Sequence, residues 1–284
     1  MKGKIMAKFT DILLTTDYDR TLTAPDATIP QANLEAIRWF IEKGGAFTVN
    51  TGRTVASSRC FIGRVPVNAP LLLYNGSAAY NPDTEDFLFV HEIDLDWKEV
   101  KNRIREKFPE LLFEYQGAKA HYIFRPHPVW PDFCRKNGIP RAYATEEDDI
   151  GPFLKFCVYY KIADTTIDHF FNGTAEEIAF MDRVEKWLTE EFGDKCAITR
   201  SADLYIDVQP KNVSKGESAL RLKEMLGRKI LVCIGDAEND IPMLKDADYA
   251  FCPADASVKD HFANVCSCGE GAVADLIYNV IPKL

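Results

Sequence analysis

The chain has 284 residues, 46% of them hydrophobic and 27% charged, with a formal charge of −9. This is the composition of a globular protein with ample core material, enough for one large domain or two modest ones. The acidity argues against a nucleic-acid or anionic-membrane binder, which would show a basic stripe, but leaves room for a phosphorylated metabolite at a locally cationic site.

The first segment, MKGKIMAKFTDILLTTD, carries lysines, and Asp11 and Asp17 interrupt its apolar residues. No signal peptide is expected, no run reaches the roughly 18 apolar residues of a membrane span, and a cytoplasmic protein is expected. DILLTTD predicts a buried strand with a polar end. IPQANLEAIRWFIEKGG predicts a helix, with Leu34, Ile37, Phe40 and Ile41 at helical spacing and Gly44-Gly45 as its stop. AFTVNTG predicts a second strand, TVASSRCFIGRV a shorter helix and APLLLYNGS a third strand. Such alternation implies a parallel sheet with helices on both faces.

The middle of the chain, residues 82–210, differs. DFLFVHEI, LLFEYQG, AHYIFRPH, LKFCVYYKI and CAITRSADLYIDVQP are rich in aromatic and β-branched residues. They predict antiparallel strands. Two helices, DWKEVKNRIREKF and TAEEIAFMDRVEKWLTEEF, lie among them, and PHPVWPDFCRKNGIPRAYATEEDDIGP predicts a surface excursion. The last third returns to the first grammar. VSKGESALRLKEMLG predicts a helix, RKILVCIGDAEN a strand entering an acidic loop, IPMLKDA a short helix, DYAFCPADAS a strand and GAVADLIYNVI a closing helix. The expected fold is therefore an α/β core, a Rossmann-like parallel sheet made of residues 1–81 and 211–284. An α+β module, 82–210, is inserted between its halves.

The eight cysteines lie mostly in apolar segments such as KFCVYY and LVCIGD and are expected to be small buried hydrophobes. Cys266 and Cys268 are one residue apart, which is not zinc-ligand spacing.

In open α/β sheets, ligands bind beyond the carboxyl ends of the strands. Those ends carry Asp17-Tyr18-Asp19-Arg20-Thr21, Asn50-Thr51-Gly52-Arg53, Tyr74-Asn75-Gly76-Ser77 and Gly235-Asp236-Ala237-Glu238-Asn239-Asp240, and Lys215 opens the helix before the last of these. A lysine at a helix start opposes the helix dipole, which points to a role outside the helix. Asp17 and Asp19 are close enough to raise one another's pKa. Carboxylates from separate strands can hold Mg²⁺, and a carboxylate so neutralised can attack phosphorus. "VSKGES" lacks the phosphate cradle of nucleotide-binding loops, and no glycine-rich dinucleotide motif follows a strand.

With these residues in hand, the chain resembles the haloacid dehalogenase-like phosphatases, in the Cof-type branch with a large α/β cap. D-x-D-x-T is Asp17, Asp19 and Thr21; the second motif is Thr51 in "NTGR"; the third is Lys215; the fourth is "GDAENDIPML", with Asp236 and Asp240. The resemblance spans the whole chain and implies a Mg²⁺-dependent phosphatase that works through an aspartyl-phosphate on small phosphorylated metabolites, possibly sugar phosphates. It implies Asp17 as nucleophile and metal ligand, Asp19 as general acid/base with its carbonyl on the metal, and Asp236 as the other direct ligand. Thr51 and Lys215 would bind the phosphoryl group. Asp240 would fix the metal's waters or Lys215 while capping IPMLKDA. Asn239, Thr21 and Asn75 would stand around the phosphate. Arg125, His127, Lys155 and Tyr122 are candidates for touching a leaving group, because the inserted module is expected to set specificity.

Arg20 departs from the family, where glycine is usual. An arginine predicts a turn that does not rely on a glycine-only conformation, and it faces either the substrate or solvent. Two other functions stay open: a phosphomutase or phosphotransferase on the same fold, and a non-catalytic module binding a phosphorylated ligand.

Overall fold

The computed structural model describes residues 8–125, 138–160 and 171–284. The chain divides into two compact units. One holds the chain up to Gly52, Phe61–Phe89 and Val213–Leu284; the other holds Arg53–Cys60 and Val90–Asn212.

The first unit is built on a five-stranded parallel sheet in the order β14-β13-β12-β1-β2. Its strands are β1 (Ile12–Thr16), β2 (Ala46–Val49), β12 (Ile230–Ile234), β13 (Tyr249–Pro253) and β14 (Ala263–Val265). In register, Thr16 of β1 stands opposite Ile234 of β12 and Val49 of β2. The strands therefore end nearly level, which brings their following loops together. Every residue of β1 is buried, as expected of a central parallel strand covered on both faces.

The helices of this unit are α1 (Gln31–Glu42), α5 (Lys215–Met225), α6 (Ile241–Asp246) and α7 (Ala272–Asp275). The fully buried Asn33 ties α1 to its neighbours. Its Nδ2 donates to the Leu22 carbonyl at 3.0 Å, and its Oδ1 accepts the Ala274 N–H at 2.9 Å. On the other side, Ala219 and Leu222 of α5 pack with Leu13, Leu231, Cys233 and Met243.

The third predicted strand, β3 (Leu71–Leu73), runs parallel to the end of β2, to which an isolated bridge between Asn50 and Leu72 joins it. On its other side it pairs, antiparallel, with β4 (Ala78–Asn81), and β5 (Asp86–Val90) completes that three-stranded sheet. The short Tyr74–Gly76 turn joins β3 to β4 directly, so no crossover helix exists to make the pair parallel. This hairpin carries the first unit on to Phe89, beyond the expected limit at residue 81. The second predicted helix also shrinks, to α2 (Val55–Ser58), which is closed by a reciprocal capping box between Thr54 and Ser57.

The second unit is a six-stranded sheet, β10-β11-β9-β6-β7-β8, with α3 (Trp97–Lys107) and α4 (Ala175–Phe192). Its strands are β6 (Leu111–Gln116), β7 (His121–Ile123), β8 (Arg141–Tyr143), β9 (Phe156–Tyr160), β10 (Cys196–Ala202) and β11 (Tyr205–Pro210). All pair antiparallel except β7 with β8. Strand β8 comes from the segment expected to be a surface excursion. One face of the sheet, including Phe113, Tyr115, Phe156, Val158 and Ile206, packs with Val100, Ile104, Met181, Val184 and Leu188 of the helices. The fold class is thus a Rossmann-like parallel core with an inserted α+β unit. Among the described residues, no helix is long and apolar enough to cross a membrane.

Candidate active site

The site grows from the carboxyl end of β1. The Asp17 N–H still donates to Ile234 of β12 at 2.9 Å, which aligns the two strand ends. The chain then leaves the sheet in a tight turn over Tyr18–Leu22. Tyr18 stacks on Phe61 with centroids 4.4 Å apart and anchors that turn. Asp17 is buried behind it, whereas Asp19 and Arg20 are exposed.

Lys215, the first residue of α5, is only 1% exposed. Its ammonium donates to Asp17 Oδ1 and to Asp240 Oδ1, each at 2.6 Å. Burial works to lower the Lys215 pKa, but the two carboxylates outweigh it and hold the ammonium above its ordinary range. Asn50, a fully buried strand-end residue, donates its Nδ2 to the Lys215 carbonyl at 2.8 Å and fixes the start of the helix.

Asp240 has both oxygens committed. Oδ1 takes Lys215, and Oδ2 accepts the N–H groups of Asp236 and Ala237 at 3.0 and 3.1 Å. It stands at the N-cap of α6, but its side chain makes no cap bond there. The carboxylate instead folds back to shape the loop that presents Asp236. Asp236 Oδ1 accepts the Thr21 hydroxyl at 3.0 Å.

Two carboxylates thus touch one ammonium, and a third, on Asp236, lies close to both. Burial pushes Asp17 up to about 8, and the charge of Asp240 and then Asp19 adds to it against the pull of Lys215. Burial also raises Asp236 to about 6, helped by Asp240 and opposed by Thr21, Lys215 and Arg20. The Asp17–Asp19 spacing that stood out in the sequence is therefore the smallest of the causes acting on Asp17.

This surplus of negative charge fits a divalent cation. One oxygen from each of Asp17, Asp236 and Asp240 lies within 4.8 Å of the others, and all are hard donors of the kind Mg²⁺ takes. Asp240 is occupied in support, its oxygens taken by Lys215 and by the Asp236 and Ala237 amides, which leaves Asp17 and Asp236 as the better candidates to hold a metal.

Thr51 lies at the end of β2. It is almost fully buried, and its N–H donates to Leu72 at 2.9 Å. Its carbonyl accepts the Asn75 N–H at 3.1 Å. Asn75 adopts the left-handed conformation, with φ 56°, and Gly76 follows at φ 101°. A Cβ on Gly76 would lie 2.3 Å from the Ser214 carbonyl, so only glycine lets the residue before Lys215 come this close. The exposed Asn239 reaches Asn75 Oδ1 at 3.5 Å.

Arg20 takes φ 59° and ψ 11°. The turn does use the left-handed conformation that glycine favours, contrary to the expectation from an arginine here. The Thr23 hydroxyl accepts the Arg20 N–H at 3.1 Å and helps to hold the strained residue.

The described leaving-group candidates each have partners within the second unit. The Arg125 guanidinium donates to the carbonyls of Pro109 and Leu111, and burial lowers its pKa. Tyr122 packs edge-on against Tyr115. Lys155 is buried, 2.9 Å from Asp207 Oδ1. His127 lies outside the described residues. Asn50 was read in the sequence as part of a strand end without a role of its own, and its contact with the Lys215 carbonyl supplies one. The described cysteines are all free.

The model of the haloacid dehalogenase-like hydrolases matches residues 14–277, nearly the whole chain. The chain belongs to this family. Among its curated relatives is the HMP-PP phosphatase of Klebsiella pneumoniae, 23% identical over 257 residues that cover 83% of this chain and 81% of that one. Another is the 5-amino-6-(5-phospho-D-ribitylamino)uracil phosphatase of Bacillus subtilis, 24% identical over 241 residues that cover 83% and 80%. The crystal structure of a haloacid dehalogenase-like hydrolase from Bacteroides thetaiotaomicron superposes with a TM-score of 0.78 at 20% identity, covering 93% of this chain and 97% of that one. The resemblance to Cof-type phosphatases holds, and with it the enzyme class, a phosphoric monoester hydrolase.

Proposed function

We propose that this haloacid dehalogenase-like hydrolase is a Mg²⁺-dependent cytoplasmic phosphatase of small phosphorylated metabolites, acting through an aspartyl-phosphate on Asp17. The observation that carries this is the buried contact of Lys215 with both Asp17 and Asp240, next to Asp236. A buried carboxylate touching a buried ammonium suits a nucleophile that must approach a phosphate dianion.

Asp17 and Asp236, with the Asp19 carbonyl, would hold Mg²⁺, which when bound supplies positive charge to the carboxylates and the phosphate. Lys215 orients Asp17 and, with Thr51, neutralises the phosphoryl oxygens. Asp17 attacks phosphorus and the bond to the leaving oxygen breaks. Asp19, exposed at the mouth of the turn, protonates that oxygen. It then removes a proton from water, which attacks the same phosphorus and releases inorganic phosphate from Asp17. Thr21 and Asp240 keep Asp236 in place, and Asn75 and Asn239 flank the phosphate side. The inserted unit would select the leaving group. Lys155 is engaged with Asp207, and Arg125 with backbone carbonyls, so neither is unoccupied for that task.

The relatives named above are phosphatases of HMP-PP and of 5-amino-6-(5-phospho-D-ribitylamino)uracil, by their names, which supports small phosphorylated metabolites as the substrate class. Sugar phosphates belong in the same screen. The test is a panel of such esters with and without Mg²⁺. Release of phosphate by the wild-type protein and its loss in Asp17→Asn support the proposal. Equal activity of the two proteins, or isomerisation of a hexose 1-phosphate faster than phosphate release, overturns it.

A further inference from the structure

The second unit contains a polar chain that this chemistry does not use. On β6, Glu114 and Gln116 lie two residues apart and so share a sheet face. Across the strand pair, Gln116 stands opposite His121 of β7. All three are buried, Glu114 completely and His121 at 4% exposure. A carboxylate and an imidazole inside a sheet are unfavourable unless they find partners.

They find each other and one hydroxyl. His121 Nδ1 lies 3.0 Å from Glu114 Oε1, close enough for an ion pair though not aligned as a hydrogen bond. On the other side of the ring, His121 Nε2 lies 3.0 Å from Thr54 Oγ1. Glu114 also accepts the Gln116 amide at 3.3 Å. Thr54 Oγ1 and His121 Nε2 are thus hydrogen-bonded, with donor and acceptor set by the tautomer of the ring.

The order hydroxyl, imidazole, carboxylate is that of a hydrolytic triad. Thr54 is nevertheless 2% exposed, and its oxygen already accepts the Ser57 N–H that caps α2. It has no access to a substrate. A buried chain of this kind holds a segment in position.

The segment it holds begins three residues after Thr51. The Thr51 backbone is fixed by Leu72 and Asn75. Gly52 follows, and a Cβ there would lie 2.7 Å from Asn75 Oδ1. We propose that His121 is a positioning residue for phosphoryl binding: by holding Thr54 it fixes the chain leaving Thr51, and Glu114 keeps the imidazole oriented for that contact. The inference rests on the proposed role of Thr51.

The test uses the full-length, Mg²⁺-loaded protein and three measurements. These are inorganic phosphate affinity by calorimetry, hydrolysis of p-nitrophenyl phosphate, and amide exchange over residues 54–58. His121→Ala and Thr54→Val are each expected to weaken phosphate binding and raise KM about tenfold, with a smaller change in kcat. Exchange over 54–58 should rise in both. Thr54→Ser should behave as wild type. If His121→Ala does not fold, His121→Gln and Thr54→Val serve instead.

Folded variants that bind phosphate like the wild type overturn the inference, whether or not exchange rises. A loss of kcat alone also overturns it. If the wild type binds phosphate but hydrolyses no ester, the proposed function fails while the phosphate and exchange measurements still decide the role of His121.

Discussion

Lys215 and Asp17 are 198 residues apart in sequence and 2.6 Å apart in space. Their contact closes the parallel core on itself, because one opens α5 and the other ends the central strand β1. It also ties stability to the proposed chemistry, since the same ammonium holds the attacking group and balances its charge.

The two partners should therefore respond differently to removal. Lys215→Met leaves Asp17 and Asp240 buried with no cation and should cost about 3–5 kcal/mol. Asp17→Asn leaves the Lys215–Asp240 pair intact and removes a surplus charge, so its melting temperature without metal should be equal to the wild type or higher. Its turnover should fall about a thousandfold or more. Thermal melts in EDTA, beside kinetics in Mg²⁺, check both halves.

The pH dependence of the metal-free protein follows from the same surplus. Asp17 and Asp236 have folded pKa values raised to about 8 and about 6 from the ordinary 3.8. Between these limits the native state binds more protons than the unfolded chain, so stability falls as pH rises. The melting temperature in EDTA should drop by about 5 °C or more from pH 5 to pH 8. Mg²⁺ should flatten that slope by favouring the ionised forms, so its stabilising effect should grow with pH. A melting temperature that rises with pH in EDTA would contradict the charge balance described here.

Arg20 combines two separable effects. Arg20→Gly should relieve the left-handed backbone and raise stability by up to about 1 kcal/mol, after the greater freedom of glycine in the unfolded chain is subtracted. Arg20→Gln keeps the strain but removes the positive charge that lowers the Asp236 pKa, and it should tighten Mg²⁺ binding. Denaturant melts of the first variant and Mg²⁺ titration of the second distinguish backbone from charge.

Gly76→Ala should be among the most damaging small changes. Its Cβ would strike the carbonyl of Ser214, and φ 101° is a conformation that alanine avoids. A loss of about 2 kcal/mol or more is expected, with reduced turnover, because the displaced residue adjoins Lys215. A fully active, equally stable variant would show that the N-terminus of α5 can move without cost.

How far the molecule was legible depends on the range of the interaction. The alternation of strands and helices in the outer thirds was plain, since apolar periodicity is local. The antiparallel partner of β3 was not, because it is brought there by the short turn that follows the strand. Asp240 read as a partner of the metal's waters or Lys215 that also caps IPMLKDA; the cap bond is absent, because the nearby Asp236 and Ala237 amides and Lys215 compete better for its oxygens. His121 offered only a weak signal, a polar residue at the start of an apolar strand. Its meaning depends on Glu114 seven residues away and on Thr54 across the unit.

The sequence by itself determined which groups stand at the strand ends, since a hydrophobic strand that stops in carboxylates, a threonine or an amide marks the rim where a parallel sheet meets its loops. It also determined the family, through four motifs in order. Only the tertiary structure decided the electrostatics. Asp17 is raised chiefly by burial, then by Asp240 at the head of a different helix, and least by the neighbour two residues away. The reason is physical: exposed Asp19 lies toward water, which screens its charge, while Asp17 and Asp240 share one ammonium in an interior where little water remains to do so.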